Sequence, residues 1–343
     1  MAHTLRVIGF DAYERMNMTV RLMVDKRVCE HESQTITRER LNQGLLDSPA
    51  RVPPRYLYDA LGSRLFAAIT ELPEYYLTRT ESGLLDKYSR HIAALVSGFT
   101  VLVDLGAGDC KKVTRLLPLL RPSHYLAIDV SGECLRAATQ SLAQDFPGIQ
   151  ISALITDFSE GIRWPEEMRH ECPLFFYLGS SIGNFSSEDA HHFLRNLYSI
   201  CRDGHEGRGM LLIGVDLLKP AEMLEAAYDD ALGLTACFNL NVLQHLNAIL
   251  GADFKVRNFR HRAIFDARHR RVEMSLVSRC AQTVRWSAGQ RRFNEGEAII
   301  TEYSHKYTTA SFERLLRASG FAPLGQWTDE HGHYLLCLAT AIR

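Results

Sequence analysis

The sequence lacks any Cys-x-x-Cys pair, although its 343 residues include eight cysteines. Scattered thiols are typical of free cysteines in a reducing compartment and argue against a disulfide framework or a zinc site. No apolar run approaches the roughly 18 residues that a membrane helix needs. Charged residues also stand in the N-terminal stretch, where a signal peptide has its apolar segment. We therefore expect a soluble cytoplasmic protein without a metal centre.

The chain also lacks an excess of charge of either sign, since its formal net charge is −1. Such a balance gives no global attraction to nucleic acid or to acidic lipid. With 46% apolar and 23% charged residues, the composition is that of a globular protein large enough for two lobes. The polar stretch 25–40 is predicted to be unstructured, and the proline-bearing segment 48–54 leads into the folded part.

Short apolar runs alternate with helical patterns in the middle of the chain. Continuous apolar strands between helices are typical of a parallel sheet that is covered on both faces. The alternation stops after about Leu218, where a long helical stretch (221–250) and a polar, β-like stretch (254–305) follow. One more helix (311–321) and a closing strand (333–342) then predict that the sheet domain is interrupted. The predicted strands of the sheet are 100–106, 124–130, 149–155, 173–179 and 209–218.

The stretch VLVDLGAGDC (101–110) predicts a buried strand that runs into a glycine turn. The third glycine of the dinucleotide fingerprint G-x-G-x-x-G is absent, because Lys111 stands at its position. This absence disfavours a pyrophosphate at the following helix. S-adenosylmethionine carries no phosphate, and Gly106 and Gly108 permit its methionine part to approach the backbone closely.

Acidic residues close the next two predicted strands. Asp129 follows Gly108 by 21 residues and stands where a carboxylate can accept the hydroxyls of a ribose. Asp157 ends the third strand, where it can take the amino group of an adenine while Phe158 flanks the ring. Together with the glycine turn, these positions favour an S-adenosylmethionine-dependent methyltransferase. A dinucleotide-dependent oxidoreductase and a non-catalytic S-adenosylmethionine-binding protein stay open as alternatives.

Five further motifs, in order, resemble the histidine-specific Nα-methyltransferases of ergothioneine biosynthesis. The resemblance extends from about Pro53 to the C-terminus. The motifs are YLYDALGSRLFAAITELPEYYLTRTE (56–81), LFFYLGSSIGNF (174–185), AAYDDALGLTACFNLNVL (226–243), RVEMSL (271–276) and ITEYSHKY (300–307).

The resemblance implies an enzyme that methylates the α-amine of free L-histidine three times with S-adenosylmethionine and gives hercynine. It implies no metal and an α/β fold, in which a Rossmann-like class I methyltransferase sheet with helices on both faces is joined to a smaller α+β substrate domain. We predict an N-terminal extension (1–45), a discontinuous substrate domain (46–80 and 219–305) and a methyltransferase domain (81–218 and 306–343). We also expect a monomer that binds neither nucleic acid nor membrane.

The resemblance also implies roles for individual residues. Tyr58 is the candidate for handling the proton of the amine, and Lys112 for lying beside the cofactor. An amide and a phenol, Asn184 and Tyr228, suit a carboxylate, and a carboxylate with a hydroxyl suits the two imidazole nitrogens. The implied substrate-binding residues are Tyr58, Phe66, Tyr75, Gly179, Asn184, Tyr228, Met274, Glu302 and Ser304.

Two other substrates are considered. The same fold can methylate another amino acid or a prenylated tryptophan, although an indole has no need of both a carboxylate and a hydroxyl. The basic run 255–271 raises the possibility of RNA, but alternating charge on an exposed hairpin explains it more simply. The sequence leaves open which compound is made from the product.

Overall fold

The computed structural model describes residues 20–24, 31–203 and 209–342. Short 3-10 turns, among them Pro54–Leu57 and Ser181–Asn184, connect several of the longer elements. The α-helices are α1 (His31–Leu46), α2 (Ala60–Ile69), α3 (Tyr76–Leu95), α4 (Leu117–Leu120), α5 (Gly132–Asp145), α6 (Ser187–Asp203), α7 (Ala221–Ala226), α8 (Leu234–Leu250) and α9 (Thr309–Ala318). The strands are β1 (Val20–Val24), β2 (Ala50–Arg51), β3 (Val101–Leu105), β4 (His124–Asp129), β5 (Gln150–Ile155), β6 (Pro173–Tyr177), β7 (Met210–Asp216), β8 (Phe259–Asp266), β9 (Arg271–Ser278), β10 (Gln282–Trp286), β11 (Gly289–Phe293), β12 (Ala298–His305), β13 (Phe321–Thr328) and β14 (Tyr334–Ala341).

Eight strands form one large sheet in the order β1-β5-β4-β3-β6-β7-β14-β13. The first six strands in this order are parallel, whereas β14 is antiparallel to both β7 and β13. The order reverses at β3, because β4 lies on one side of it and β6 on the other. Ligands of such doubly wound sheets bind beyond the carboxyl ends of the strands at this reversal. The strand order and the helices on both faces confirm the predicted fold class, an α/β fold with a Rossmann-like sheet.

Alternate residues of the central strands enter two cores, one on each face of the large sheet. On β3, Val101 and Val103 enter one core and Leu102 enters the other. Helices α6 and α9 cover the first face, and α3 and α5 cover the second. The continuous apolar runs in the sequence therefore reflect strands that are buried on both sides. All five strands predicted for this sheet are present, as β3 to β7.

A separate apolar core, called the second core below because it belongs to the second lobe, lies beside a smaller sheet of order β2-β12-β9-β8. Strands β12, β9 and β8 are antiparallel, and β2 pairs with β12 in parallel. Helix α8 packs on this core through Phe238, and the hairpin of β10 and β11 contributes Trp286. The basic run 255–271 falls largely on β8 and the turn to β9. The exact limits of the two domains stay a prediction.

The prediction that stretch 25–40 is unstructured is wrong for residues 31–40, which form the first part of α1, while 25–30 lie outside the described residues. The polar helix has no apolar face over these residues. It is held instead from its C-terminal part, where Leu41 and Leu45 are fully buried in the second core.

The helical stretch predicted over 221–250 is interrupted between α7 and α8. Gly233 adopts a φ of +74°, and the carboxylate of Asp230 accepts the backbone N–H groups of Leu234 and Thr235 at 3.0 and 2.7 Å. This cap begins α8 as a separate helix.

Within the described ranges, no helix is long and apolar enough to cross a membrane.

Gly214 on β7 provides a test of the packing between the large sheet and α3. A Cβ at this position would collide with the carboxylate of Glu81 and lie 2.6 Å from the hydroxyl of Tyr334. Both neighbours are buried and hydrogen-bonded to each other. We therefore expect Gly214→Ala to lower the free energy of unfolding by about 1–3 kcal/mol, as overpacking does. Denaturation by urea, followed by circular dichroism, measures the change.

The matched control is Gly83→Ala on α3. A Cβ there meets nothing within 4 Å among the described residues, and alanine is the better helix former by up to about 1 kcal/mol. The control should be neutral or stabilising. Equal denaturation midpoints for Gly214→Ala and the wild type would contradict the tight packing at β7.

Candidate active site

The turn after β3 lies at the reversal of the large sheet and is open to a ligand. Gly106 and Gly108 have φ angles of +71° and +54°, a region that favours glycine. Among the described residues, a Cβ on Gly108 would meet nothing within 4 Å, and one on Gly106 would meet the ring of Phe158 at 3.7 Å. Burial raises the pKa of the Cys110 thiol in the same turn to about 12, and the side chain packs in a core of the large sheet.

Asp129, at the end of β4, holds the glycine turn from the neighbouring strand. Its Oδ2 accepts the N–H of Gly108 at 2.9 Å, and its Oδ1 accepts the N–H of Ser131 at 2.8 Å. Burial raises the pKa of this carboxyl, while the backbone N–H groups favour its ionised form. A carboxylate can accept further hydrogen bonds, such as those from the hydroxyls of a ribose.

These residues fit the cofactor that the sequence predicts. The open glycine positions admit a ligand close to the backbone, Asp129 can accept ribose hydroxyls, and Phe158 supplies an apolar ring beside the turn. Among the residues that the structure describes, no group of three or more His, Cys, Asp or Glu side chains could hold a metal ion.

Asp157, which follows β5, is paired with a cation from the other lobe. Arg55, in the turn before α2, forms an ion pair with this carboxylate, and Oδ1 also accepts the N–H of Ser159 at 2.9 Å. Burial opposes the ionisation of Asp157, but Ser159 and Arg55 outweigh it and lower its pKa. The predicted adenine-binding carboxylate thus has a partner that sequence reasoning missed. No local pattern reveals Arg55, because the two residues are 102 positions apart.

A buried carboxylate, Glu81 of α3, ties the glycine turn to the loop after β6. Its Oε1 accepts the N–H of Gly179 at 2.7 Å and the hydroxyl of Tyr334 at 2.5 Å. Its Oε2 is paired with Lys112 Nζ at 2.7 Å. Lys112, predicted on the cofactor side, and Gly179, predicted on the substrate side, therefore meet at one group. Sequence reasoning missed Glu81, although it ends the first motif of the family resemblance.

Five aromatic rings form one cluster at the edge of the second core. The ring of Tyr58 lies 5.4 Å from those of Phe66 and Phe238, and Phe66 lies 5.9 Å from Tyr75. Tyr75 in turn lies 6.5 Å from Tyr228. The predicted pocket residues of the N-terminal segment are therefore side by side. Phe238 was missed, because a phenylalanine on an apolar helix predicts packing alone.

The phenols of Tyr58 and Tyr75 are held in the protonated form. Burial raises the pKa of both groups well above the usual value, and the negative charge of Glu302 adds to the effect. Neither side chain is therefore a phenolate base at neutral pH. Each can still donate a hydrogen bond or pass on a proton.

Glu302 on β12 is a buried carboxylate without a hydrogen-bond partner among the described residues. It is 8% exposed and pairs across the sheet with Met274, which packs into the second core. Burial raises the pKa of Glu302 to about 7, against the opposing charge of Lys306. Its carboxylate oxygens are not among the buried side-chain atoms that are closed off without a partner, so a small polar ligand can reach them, and Glu302 is a candidate ligand-binding group.

Ser304, two residues further along β12, forms a 2.7 Å hydrogen bond with the hydroxyl of Tyr228. Lys306 Nζ donates to Tyr228 Oη at 3.0 Å and to Ser304 Oγ at 2.9 Å, and it pairs with Asp216 Oδ2 at 2.8 Å. Burial alone would lower the pKa of Lys306, but Asp216 and Tyr228 raise it above its usual value. Sequence reasoning missed Lys306 and Asp216, because buried charged residues carry no pattern of their own.

The turn Ser181–Asn184 brings Asn184 beside the same strand. His305 Nδ1 and the backbone oxygen of Gly183 lie 2.9 Å apart in a hydrogen bond, and a Cβ on Gly183 would lie 2.8 Å from the backbone oxygen of His305. Glycine thus permits the close approach of the turn to β12. Three separate segments with predicted residues therefore meet at the end of β12. They are the turn with Asn184, the segment with Tyr228 and the strand with Ser304.

Comparisons with known proteins show the family of the chain. Residues 37–341 match the family model described as histidine-specific methyltransferase, SAM-dependent. The chain is 38% identical over 309 residues to the histidine N-alpha-methyltransferase of Mycolicibacterium smegmatis, which covers 88% of this chain and 94% of that protein. It is 36% identical over 326 residues to the enzyme of the same name from Mycobacterium tuberculosis, covering 93% and 99% of the two chains.

A fungal relative is similar over only part of its length. The ergothioneine biosynthesis protein 1 of Neurospora crassa is 30% identical over 316 residues. The match covers 84% of this chain and 33% of the fungal protein.

The position of Asp129 predicts its contribution to cofactor affinity. We expect Asp129→Ala to weaken the binding of S-adenosylhomocysteine by about tenfold or more, since charge-assisted hydrogen bonds contribute about 1.5–3 kcal/mol. Isothermal titration calorimetry measures this affinity. Asp109→Ala is the matched control, because this exposed carboxylate of the same turn pairs with Lys111. Equal affinities for the two variants would contradict a role of Asp129 in cofactor binding.

Proposed function

The chain belongs to the histidine-specific, S-adenosylmethionine-dependent methyltransferases, and we propose that it methylates the α-amine of free L-histidine three times. The product is hercynine, and the reaction is the first step of ergothioneine biosynthesis. The observation that carries the proposal is the buried, unpartnered carboxylate of Glu302 beside the hydroxyl of Ser304. This pair matches the two nitrogens of an imidazole, whereas an indole offers a single donor.

We propose that the turn at the end of β3 holds the cofactor. S-adenosylmethionine supplies a methyl group that its sulfonium already activates. Asp129 accepts the ribose hydroxyls, and Asp157 with Phe158 receives the adenine. Gly106 and Gly108 give the methionine part access to the backbone, and Lys112 lies beside that part. What the protein must add is chiefly alignment of the amine, and positioning of this kind can contribute about 7–11 kcal/mol to catalysis.

The substrate is held at both ends in this proposal. Asn184 and Tyr228 donate to its carboxylate, and Ser304 and Glu302 bind its ring. The pKa of Glu302, about 7, is close to the ordinary value of about 6.5 for imidazole. The carboxyl group of Glu302 and a ring nitrogen therefore share one proton in a hydrogen bond. Met274 packs beside them.

The aromatic cluster receives the amine in this proposal. Aromatic faces attract a quaternary ammonium, so Tyr58, Phe66 and Tyr75 tolerate the positive charge that grows as methyl groups are added. Because its phenol is neutral, Tyr58 orients the amine and passes its protons to solvent without itself becoming a phenolate. The free cysteines support a cytoplasmic location, and the balanced charge supports a small molecule as substrate in place of a nucleic acid.

A direct assay tests the proposed function. The protein is incubated with S-adenosylmethionine and an equimolar mixture of the twenty amino acids, and the products are analysed by mass spectrometry. We expect a gain of three methyl groups on histidine alone. Methylation of another amino acid would contradict the assignment of the ring site while leaving the fold and cofactor intact. The absence of any product would contradict the proposed function.

Glu302→Gln tests the ring anchor. We expect the KM for L-histidine to rise about tenfold or more, because a charged hydrogen bond is lost, while the Kd for S-adenosylhomocysteine changes little. Steady-state kinetics and calorimetry give the two constants. Glu295→Gln, at an exposed position in the loop before β12, is the matched control. Equal losses of substrate and cofactor affinity would contradict the assignment.

The same variant checks the titration of Glu302. Its pKa is raised from about 4.3 in an unfolded chain to about 7 in the fold. A raised pKa favours the folded protein at low pH, and this advantage is lost as the pH rises from about 4.3 to 7. Without ligands, the melting temperature of the wild type should therefore fall relative to that of Glu302→Gln between pH 5 and 8. Parallel curves for the two proteins would show that Glu302 titrates normally.

A further inference from the structure

The hydrogens of the Tyr228–Ser304 pair can be counted, because the surrounding donors are fixed. Lys306 has three N–H groups, and they reach Asp216, Tyr228 and Ser304 at 2.8, 3.0 and 2.9 Å. Both hydroxyl oxygens therefore accept from the same ammonium. The ammonium is fully buried with Asp216, so it holds the two oxygens together.

Two oxygens only 2.7 Å apart need a hydrogen between them. Of the two hydroxyl hydrogens in the pair, one therefore occupies this bond, and the other has no acceptor among the described residues. A hydroxyl oxygen has two lone pairs. The residue that accepts the shared hydrogen thus has both lone pairs filled and offers only a donor outward. Its partner has given up its hydrogen and offers only an acceptor.

We propose that Lys306 makes Tyr228 and Ser304 a hydrogen-bond relay that couples recognition of the two ends of the substrate. This inference rests on the proposed function. A carboxylate at Tyr228 needs a donor, so Tyr228 turns its hydrogen outward and Ser304 gives its own hydrogen to Tyr228. Ser304 is then left as an acceptor and must receive an N–H from the ring. The relay therefore selects amino acids whose ring carries an N–H at this point. Lys306 acts as a positioning residue through the two hydroxyls.

The relay makes a prediction that independent contacts do not. If Ser304 acted alone, it could turn its hydroxyl to suit either a ring N–H or a ring lone pair. Within the relay it cannot do so while Tyr228 donates to the carboxylate. Removing the Tyr228 hydroxyl frees the hydrogen of Ser304. Discrimination against a ring without N–H should therefore fall when Tyr228 is substituted, although Ser304 itself is unaltered.

The test compares L-histidine with 3-(thiazol-4-yl)-L-alanine, whose five-membered ring has a nitrogen lone pair but no N–H. Their affinities are measured by calorimetry with S-adenosylhomocysteine bound. The ratio of the two affinities should fall about tenfold in Tyr228→Phe, since one buried polar conflict is removed. Tyr303→Phe also removes a phenol, from the alternate face of β12 where its ring packs against Arg271, and should keep the wild-type ratio.

Lys306→Met should lower the ratio as well, because the two oxygens are no longer held in contact. If the buried variant Lys306→Met does not fold, the result for Tyr228→Phe alone tests the relay. An unchanged ratio in Tyr228→Phe, in an enzyme whose wild type methylates histidine, would overturn the relay alone. A wild type that does not methylate histidine would overturn the proposed function and the relay with it.

Discussion

The contact between the two lobes depends on one buried carboxylate, that of Asp216 at the end of β7. It is fully buried and shared by Lys219, Lys306 and the hydroxyl of Tyr76. Lys306 follows the last strand of the small sheet, and Tyr76 begins α3. Since a buried charge is costly unless it is paired, these segments are held in one arrangement. Burial lowers the pKa of Lys219 to about 8, against the opposing charge of Asp216.

This ion-pair network fixes the geometry of the active site. Lys306, which is paired with Asp216, positions Tyr228 and Ser304 through two hydrogen bonds. Glu81 performs a similar task on the cofactor side, where one carboxylate fixes Gly179 and Lys112. Glu302, in contrast, has been left without a hydrogen-bond partner among the described residues. The site thus combines side chains in fixed positions with one carboxyl group whose pKa of about 7 allows it to share a proton with a ligand.

The sequence predicted the large sheet well, because its strands are buried on both faces and read as continuous apolar runs. The glycine turn and Asp129 were also placed, since they follow from strand ends. The helix over residues 31–40 could not be predicted, because Leu41 and Leu45 hold it from outside the polar stretch. Strand β13 was missed as well, since Pro323 and Gly325 break its pattern at a register shift.

Within the site, the family resemblance identified functional residues but not the contacts between them. Lys306 stands in a motif that was recognised, yet its partner Asp216 lies on a different sheet and far away in the chain. The pairing of Arg55 with Asp157 likewise joins two lobes. Such contacts depend on tertiary structure alone, and no periodicity or spacing encodes them.

The central claim is that the free carboxylate of Glu302 is the anchor for the ring of the substrate. A crystal structure with S-adenosylhomocysteine and L-histidine bound tests it most directly. The account predicts one ring nitrogen within hydrogen-bonding distance of Glu302, the other at Ser304, and the α-amine facing the sulfur of the cofactor. A ring bound elsewhere, with Glu302 still unpartnered, would contradict the account.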